Sequence, residues 1–202
     1  MSAVADKIIK RVRGKGRGWA FTPKDFLDLG TRASVDMALT RLVQSGVIRR
    51  IGRGLYDYPK LHDRLGALTP DTDTIVQAVA TQSGDKVFAS AAQSANRLGI
   101  STQVPAKASY VTDGVSRVKQ VAGRTIALKR SRAPILDDAS ANANAALQLL
   151  AQIGKANIDA DLLHRLAMQL DGRDLKALRK AQPLMPAWMS DAVLKIGLVK
   201  HG

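Results

Sequence analysis

Thr31-Arg32-Ala33-Ser34-Val35-Asp36-Met37-Ala38-Leu39-Thr40-Arg41-Leu42-Val43-Gln44-Ser45-Gly46-Val47-Ile48-Arg49-Arg50-Ile51-Gly52-Arg53-Gly54-Leu55-Tyr56-Asp57-Tyr58 reads as a helix followed at once by a β-hairpin. Val35, Leu39, Leu42 and Val43 fall at i, i+4, i+7 and i+8, the spacing of one buried helical face, and Thr31 or Ser34 can cap the amino end. Gly46 supplies a left-handed stop. The opposite face carries Ala33, Met37, Thr40, Arg41 and Gln44, with Arg32 and Ser34 at the amino end. Residues 47–51 and 55–58 are β-like runs joined by Gly52-Arg53-Gly54, whose glycines permit the positive φ of a tight turn.

Two helices are predicted upstream. Val4, Ile8, Ile9 and Val12 form an apolar stripe ended by Gly14, Gly16 and Gly18. Thr22 then caps a short helix with Pro23 in its first position and Phe26, Leu27 and Leu29 as its apolar side, ended by Gly30. Three short helices and a two-stranded ribbon tipped by arginine follow the order of a winged helix-turn-helix, in which the third helix enters the major groove and the ribbon lies along the backbone. On that reading the DNA-contacting residues are Arg32, Ser34, Met37, Thr40, Arg41 and Gln44 on the helix and Arg49, Arg50 and Arg53 on the ribbon. The same pattern also describes a generic helical domain with a hairpin, or a protein-protein module. Trp19, Phe21 and Tyr56 are expected in the core rather than on a base-stacking surface. Gly14-Lys15-Gly16-Arg17-Gly18 lacks the strand before it and the Lys-Ser/Thr after it that a phosphate-cradling loop requires, so it reads as a basic turn.

Charge supports a polyanionic partner. The 202 residues hold 31 Lys and Arg against 17 acids, a net charge of +14, and every acid is Asp. Residues 1–65 carry 14 basic residues against 6 Asp, whereas residues 136–202 carry 8 against 7. Such a surface attracts phosphate by Coulomb steering and counterion release. Without Cys or Glu, and with only three His, the chain has no thiolate zinc site, no Cys or Glu nucleophile and no helical histidine pair, so no enzyme activity and no cofactor are expected. His62 has no partner pattern and reads as a surface or packed residue. No charged-then-apolar leader and no membrane-length apolar run occur, so a cytoplasmic location and no membrane partner are expected.

The remainder, residues 66–202, reads as a second domain after a winged-helix domain of residues 1–60, the segment from Pro59 to Pro70 being a connector. Helices are predicted at 74–81, 88–98, 142–153, 160–170, 175–181 and 188–196, and an antiparallel meander at 108–112, 115–121 and 125–130. The fold class is therefore mainly α with small antiparallel β elements, an α+β chain. Arg117, Lys119, Arg124, Lys129, Arg130 and Arg132 either extend a polyanion-binding surface or guard strand edges. Asp159, Asp161, Asp171 and Asp174 stand at helix starts, where capping is their expected role, and Asp137-Asp138 is the one adjacent acid pair.

Arg32-Ala33-Ser34-Val35-Asp36, Arg50-Ile51-Gly52-Arg53-Gly54-Leu55-Tyr56-Asp57-Tyr58-Pro59, Leu98-Gly99-Ile100-Ser101-Thr102-Gln103-Val104-Pro105 and Pro186-Ala187-Trp188-Met189 resemble the AbiEi-like antitoxins of bacterial type IV toxin-antitoxin and abortive-infection pairs. The resemblance covers most of the chain. It implies a winged-helix domain joined to an α/β antitoxin domain, repression of the operon promoter at inverted repeats in double-stranded DNA, and neutralisation of a cognate nucleotidyltransferase-like toxin with or without direct contact. Met37, on the presumed reading face, suits an apolar contact to a thymine methyl. An ordinary winged-helix transcriptional regulator with a ligand-sensing or oligomerising C-terminal domain is the alternative.

Overall fold

Helix α1 (Ala3–Lys15) buries Ala5, Ile8, Ile9 and Val12, the stripe that its period places on one side. It packs on α2 (Arg32–Gln44), which buries Val35, Ala38, Leu39 and Leu42. Thr31 is the N-cap of α2, its Oγ1 accepting the Ser34 N–H at 3.3 Å. This computed structural model describes residues 3–102 and 109–201.

The helix predicted from Thr22 is instead a 3-10 turn, Pro23–Phe26. Thr22 and Asp25 form a reciprocal capping box, and the bonds from Asp25 N to Thr22 O and from Leu29 N to Phe26 O span three residues, not four. With Gly30 ending the segment so soon, i to i+3 closure is what the length allows. Strands β1 (Ala20–Phe21), β2 (Arg49–Gly52) and β3 (Leu55–Asp57) form an antiparallel sheet in the order β1-β3-β2, with Phe21 and Arg50 both opposite Tyr56. Phe21, Phe26, Leu39, Leu42 and Ile48 are fully buried between this sheet and the two helices. Burying each such side chain contributes about 1.5 to 3 kcal/mol, so this cluster is what holds α2 and the hairpin together. Trp19, Phe21 and Phe26 meet edge to face or tilted, with centroids 4.8 to 6.0 Å apart, and Tyr56 stacks on Phe21. The aromatics are core, as their scatter in the sequence suggested.

The predicted connector contains a two-stranded ribbon, β4 (Leu61–His62) and β5 (Gly66–Ala67). Exposed His62 closes its turn, Nδ1 accepting the N–H of Arg64 at 3.2 Å and of Leu65 at 3.3 Å. Helix α3 (Thr72–Ser83) follows and ends on Gly84 at φ +84°.

Two compact units emerge: residues 1–85 with 118–126, and residues 86–117 with 127–202. Residues 61–65, the stretch between the expected domains, lie inside the first. Counted by unit, the basic excess is even, 16 Lys and Arg against 9 Asp in the first and 15 against 8 in the second. Net charge thus singles out neither unit, and only the placement of individual cations can.

In the second unit, β6 (Val87–Ala89) takes the residues expected to start a helix, and α4 (Ala91–Arg97) begins only after Ser90. Val87, Phe88 and Ala89 pair with Thr112, Val111 and Tyr110 of β7 (Tyr110–Thr112), and these ladder bonds override the local helical preference. The expected strand start at Ala108, like Gln103 to Pro105, lies outside the described residues. Strands β8 (Arg117–Val121), which from residue 118 onward is counted with the first unit, and β9 (Arg124–Arg130), whose residues 127–130 are counted with the second, extend the sheet to the order β6-β7-β9-β8, in which β7 and β9 run parallel. This corrects the antiparallel meander. Asp113-Gly114 does not close a two-residue hairpin; the chain loops over residues 113–116, where Thr112 Oγ1 accepts the Gly114 N–H and Ser116 Oγ accepts the Arg130 N–H, and leaves the place beside β7 to β9.

Four helices complete the chain: α5 (Ala141–Ile153), α6 (Ala160–Gln169), α7 (Gly172–Lys180) and α8 (Ala187–His201). Their core runs from Ala143, Leu147 and Leu150 through Leu166 and Leu178 to Met189, Val193 and Ile196. Asp159 Oδ1 accepts the Leu162 N–H at 2.8 Å, and Asp171 with Asp174 forms a capping box on α7. Asp159, Asp171 and Asp174 act as caps, whereas Asp161, in the first turn of α6, pairs with Arg165 at 2.9 Å instead. Among the described residues, no helix is long and apolar enough to cross a membrane.

Candidate nucleic-acid interface

Helix α2 has one face in the core and one face without a structural duty. Arg32, Ala33, Met37, Thr40, Arg41 and Gln44 are exposed, while Ser34 is half-buried in the first turn. Several of these side chains are ordered from within the helix. Arg32 Nε donates to Asp36 Oδ2 at 2.8 Å, Thr40 Oγ1 to Asp36 O at 2.8 Å, and Arg41 Nη2 to Met37 Sδ at 3.5 Å. Ser34 Oγ donates to Thr31 O at 2.8 Å, so that hydroxyl serves the helix start. Met37 is 56% exposed on the middle of this face, with no core to explain a large apolar side chain there.

The three arginines of the hairpin divide into two kinds. Arg49 is committed to the fold: Nε donates to Asp57 Oδ1 at 3.0 Å, Nη2 to Asp57 Oδ2, and further bonds reach the carbonyls of Ala67 and Leu68. Arg50 and Arg53 are exposed, Arg50 bonding only weakly back to Gly52 O at 3.4 Å. The basic turn after α1 resembles Arg49 in this respect. Arg17 Nη1 donates to Pro59 O at 2.8 Å and its guanidinium lies over the Tyr58 ring, 4.8 Å from the centroid.

Arg32, Arg50 and Arg53 line one open groove of about 700 Å³, together with Asp36, Gln82 and Lys119, all of them residues of the first unit. Gln82 of α3 and Lys119 of β8 were not in the sequence-derived set, because nothing in their spacing connects residues 29 and 66 positions away to the hairpin tip. Only Lys119 carried a signal, as one of the basic residues left between surface and edge-guard roles. The groove wall is built: Gln82 Nε2 donates to Arg53 O at 2.7 Å, Lys119 Nζ donates to Gln82 Oε1 at 2.6 Å, and Ala122 N donates to Ile51 O at 3.1 Å. Gly54, at φ +67°, allows this approach, since a Cβ there would stand 2.8 Å from Gln82 Nε2.

Among the described residues no group of three His or Asp side chains could hold a metal ion. Asp28 is held below the usual carboxylate range by the Arg11 guanidinium, and Asp171 by the Asp174 N–H; both are outside the groove.

No curated protein matches the chain. Residues 7–178 match a family described as one of unknown function, DUF6088, and because that span is most of the sequence, the chain belongs to this family.

Proposed function

We propose that the chain binds duplex DNA sequence-specifically as a winged helix-turn-helix protein, with α2 in the major groove and the β2–β3 tip on the phosphate backbone. The observation that carries this reading is the exposed α2 face of Met37, Thr40, Arg41 and Gln44, continuous in chain order with an exposed Arg50 and Arg53 tip. A face with a thioether, a hydroxyl, a guanidinium and a carboxamide offers an apolar contact for a thymine methyl and donors and acceptors for base edges. The fold supports the same geometry, because the core anchors α2 through Leu39 and Leu42 and leaves its other side unpacked. No step of this reading needs an enzyme activity.

Within the resemblance to AbiEi-like antitoxins, the chain acts as an autorepressor at inverted repeats of its own promoter and counteracts a nucleotidyltransferase-like toxin. Fluorescence anisotropy with promoter and random duplexes over a salt series tests the DNA part. The expected result is preference for the promoter and a steep fall of affinity with salt; equal affinity for both duplexes, or a flat salt response, defeats it. Expression of the neighbouring reading frame with and without this chain tests the antitoxin part, and a harmless neighbour defeats it. The reading as an ordinary ligand-sensing regulator has one observation in its favour, a cavity of about 430 Å³ in the second unit lined by Ile135, Leu136 and Leu184 together with Asp137, Asp138, Arg173, Lys176 and Lys180.

A further inference from the structure

We infer that the second unit holds a binding site for a nucleoside di- or triphosphate, with Lys129, Arg130 and Arg132 on the phosphates. A cavity of about 610 Å³, a usual size for a small-ligand site, is lined by these three cations and by the hydroxyls of Ser90, Ser109 and Ser131. Every described lining residue belongs to the second unit, so the inference stands whether or not α2 reads DNA.

The three cations fall within four residues at the end of β9, and no acid stands among the described lining residues. All three are exposed, and their side chains make no hydrogen bond or ion pair among the described residues. Lys129 and Arg130 stand opposite Val111 and Thr112 in the ladder, so they guard no open strand edge there. The chain beneath the two arginines is fixed. Ser131 N donates to Thr112 O at 2.7 Å, and Ser131 Oγ lies 2.7 Å from Oε1 of buried Gln148, whose Nε2 donates to Pro134 O at 3.3 Å. Two guanidinium forks on a held stretch of backbone match phosphate oxygens bidentately. Ser90 and Ser109 share one hydroxyl bond of 2.6 Å, so whichever of them donates, the other's proton is left for a phosphate oxygen. Ala91, Ala95 and Leu149 add apolar wall, and exposed Gln152, one turn beyond Gln148 on α5, offers a donor and an acceptor to a base edge. Cations bunched at one cavity suit several anionic groups on one small molecule, whereas a phosphodiester strand spreads single charges along a line.

Isothermal titration calorimetry of the full chain with ATP, GTP, adenosine, pyrophosphate and a single-stranded hexanucleotide tests it, on wild type and on Arg130→Ala, Arg132→Ala, Ala92→Glu and Lys155→Ala, each shown to be folded by circular dichroism. Wild type should bind ATP or GTP more tightly than pyrophosphate and far more tightly than adenosine. Each arginine variant should weaken nucleotide binding by about tenfold or more, the worth of one charge-assisted hydrogen bond. Ala92→Glu sets an acid at an exposed lining position of α4 and should weaken binding likewise, while Lys155→Ala, an exposed lysine outside the cavity, should match wild type. No binding of either nucleotide by wild type, or equal binding by wild type and the three cavity variants, would overturn the site. Pyrophosphate binding as tightly as ATP would overturn the nucleoside part of the ligand. A hexanucleotide that binds more tightly than ATP, with the same losses in the variants, would overturn the small molecule in favour of a nucleic-acid strand.

Discussion

Arg49 and Asp57 stand directly opposite each other on β2 and β3, and the guanidinium grips a carboxylate with no solvent exposure while also bonding the Ala67 and Leu68 carbonyls. An arginine in a basic hairpin is here a structural strut. Arg49→Ala leaves the buried carboxylate without its partner, and removing one member of such a pair costs on the order of 3 to 5 kcal/mol. Asp57→Ala should cost less, because the Arg49 side chain is 33% exposed and can turn to water. Urea unfolding of both variants measures the order. Below the unfolding range, Arg49→Ala should keep the wild-type salt slope in DNA binding, whereas a reduced slope would make Arg49 a phosphate contact after all.

The two exposed hairpin arginines and the α2 face should behave differently from each other. Arg53→Ala should weaken binding to every duplex by a similar factor, as expected for a backbone contact. Met37→Gln should instead change the preference among promoter variants, by on the order of 1 to 3 kcal/mol at the base it meets. A binding matrix of both variants against single-base substitutions separates these outcomes, and the reverse pattern would exchange the roles assigned to helix and tip.

Local chemistry made α1, α2 and the first hairpin legible. The 3.6-residue stripe, the Thr31 cap and the Gly52-Arg53-Gly54 turn act within a few residues, and each is where the sequence places it. What stayed hidden depends on distant partners. Phe88 and Ala89 have helical company but are taken by Tyr110 and Val111, and β9 displaces β8 from the place beside β7. The same holds at the candidate site. The exposed α2 residues follow from periodicity, but neither the commitment of Arg49 to Asp57 nor the Lys119-Gln82-Arg53 connection leaves any trace in local spacing. A basic residue's sequence neighbourhood says that it is charged, and only the fold says what already neutralises or holds it.

Stability should depend on pH mainly on the acid side. Asp28, hydrogen-bonded by Arg11 at 2.7 Å, and Asp171, which accepts the Asp174 N–H at 2.8 Å, both have lowered pKa values in the folded protein. A folded-state pKa below the unfolded value means that the stabilisation is complete above the unfolded carboxylate pKa of about 3.9 and is lost as pH falls through the folded one. Urea midpoints should therefore be level from pH 7 to about 5 and decline below about 4. The double variant Asp28→Asn, Asp171→Asn should be less stable at pH 7 and decline less steeply in acid. An unchanged acid limb would show that other carboxylates carry it.

Ala122 is the one non-glycine residue at positive φ among the described residues, at +51°, with Gly123 following at +74°. Two successive positive φ values define the primed turn that matches the twist of a two-residue hairpin, a conformation for which Asn-Gly is strongly preferred. An alanine held there costs about 1 kcal/mol through its Cβ. It cannot relax by changing φ, because its N–H is bonded to Ile51 O at 3.1 Å. Ala122→Asn should keep that bond, since Asn tolerates the left-handed region, and should raise the unfolding temperature by about 2 to 4 °C for a chain of this length. Ala122→Val should lower it, as a β-branched side chain at positive φ is a true outlier. Thermal unfolding by circular dichroism checks both. A destabilised Asn variant would mean that the turn does not need its left-handed residue, and the bond to Ile51 would lose its role as the anchor of the hairpin tip.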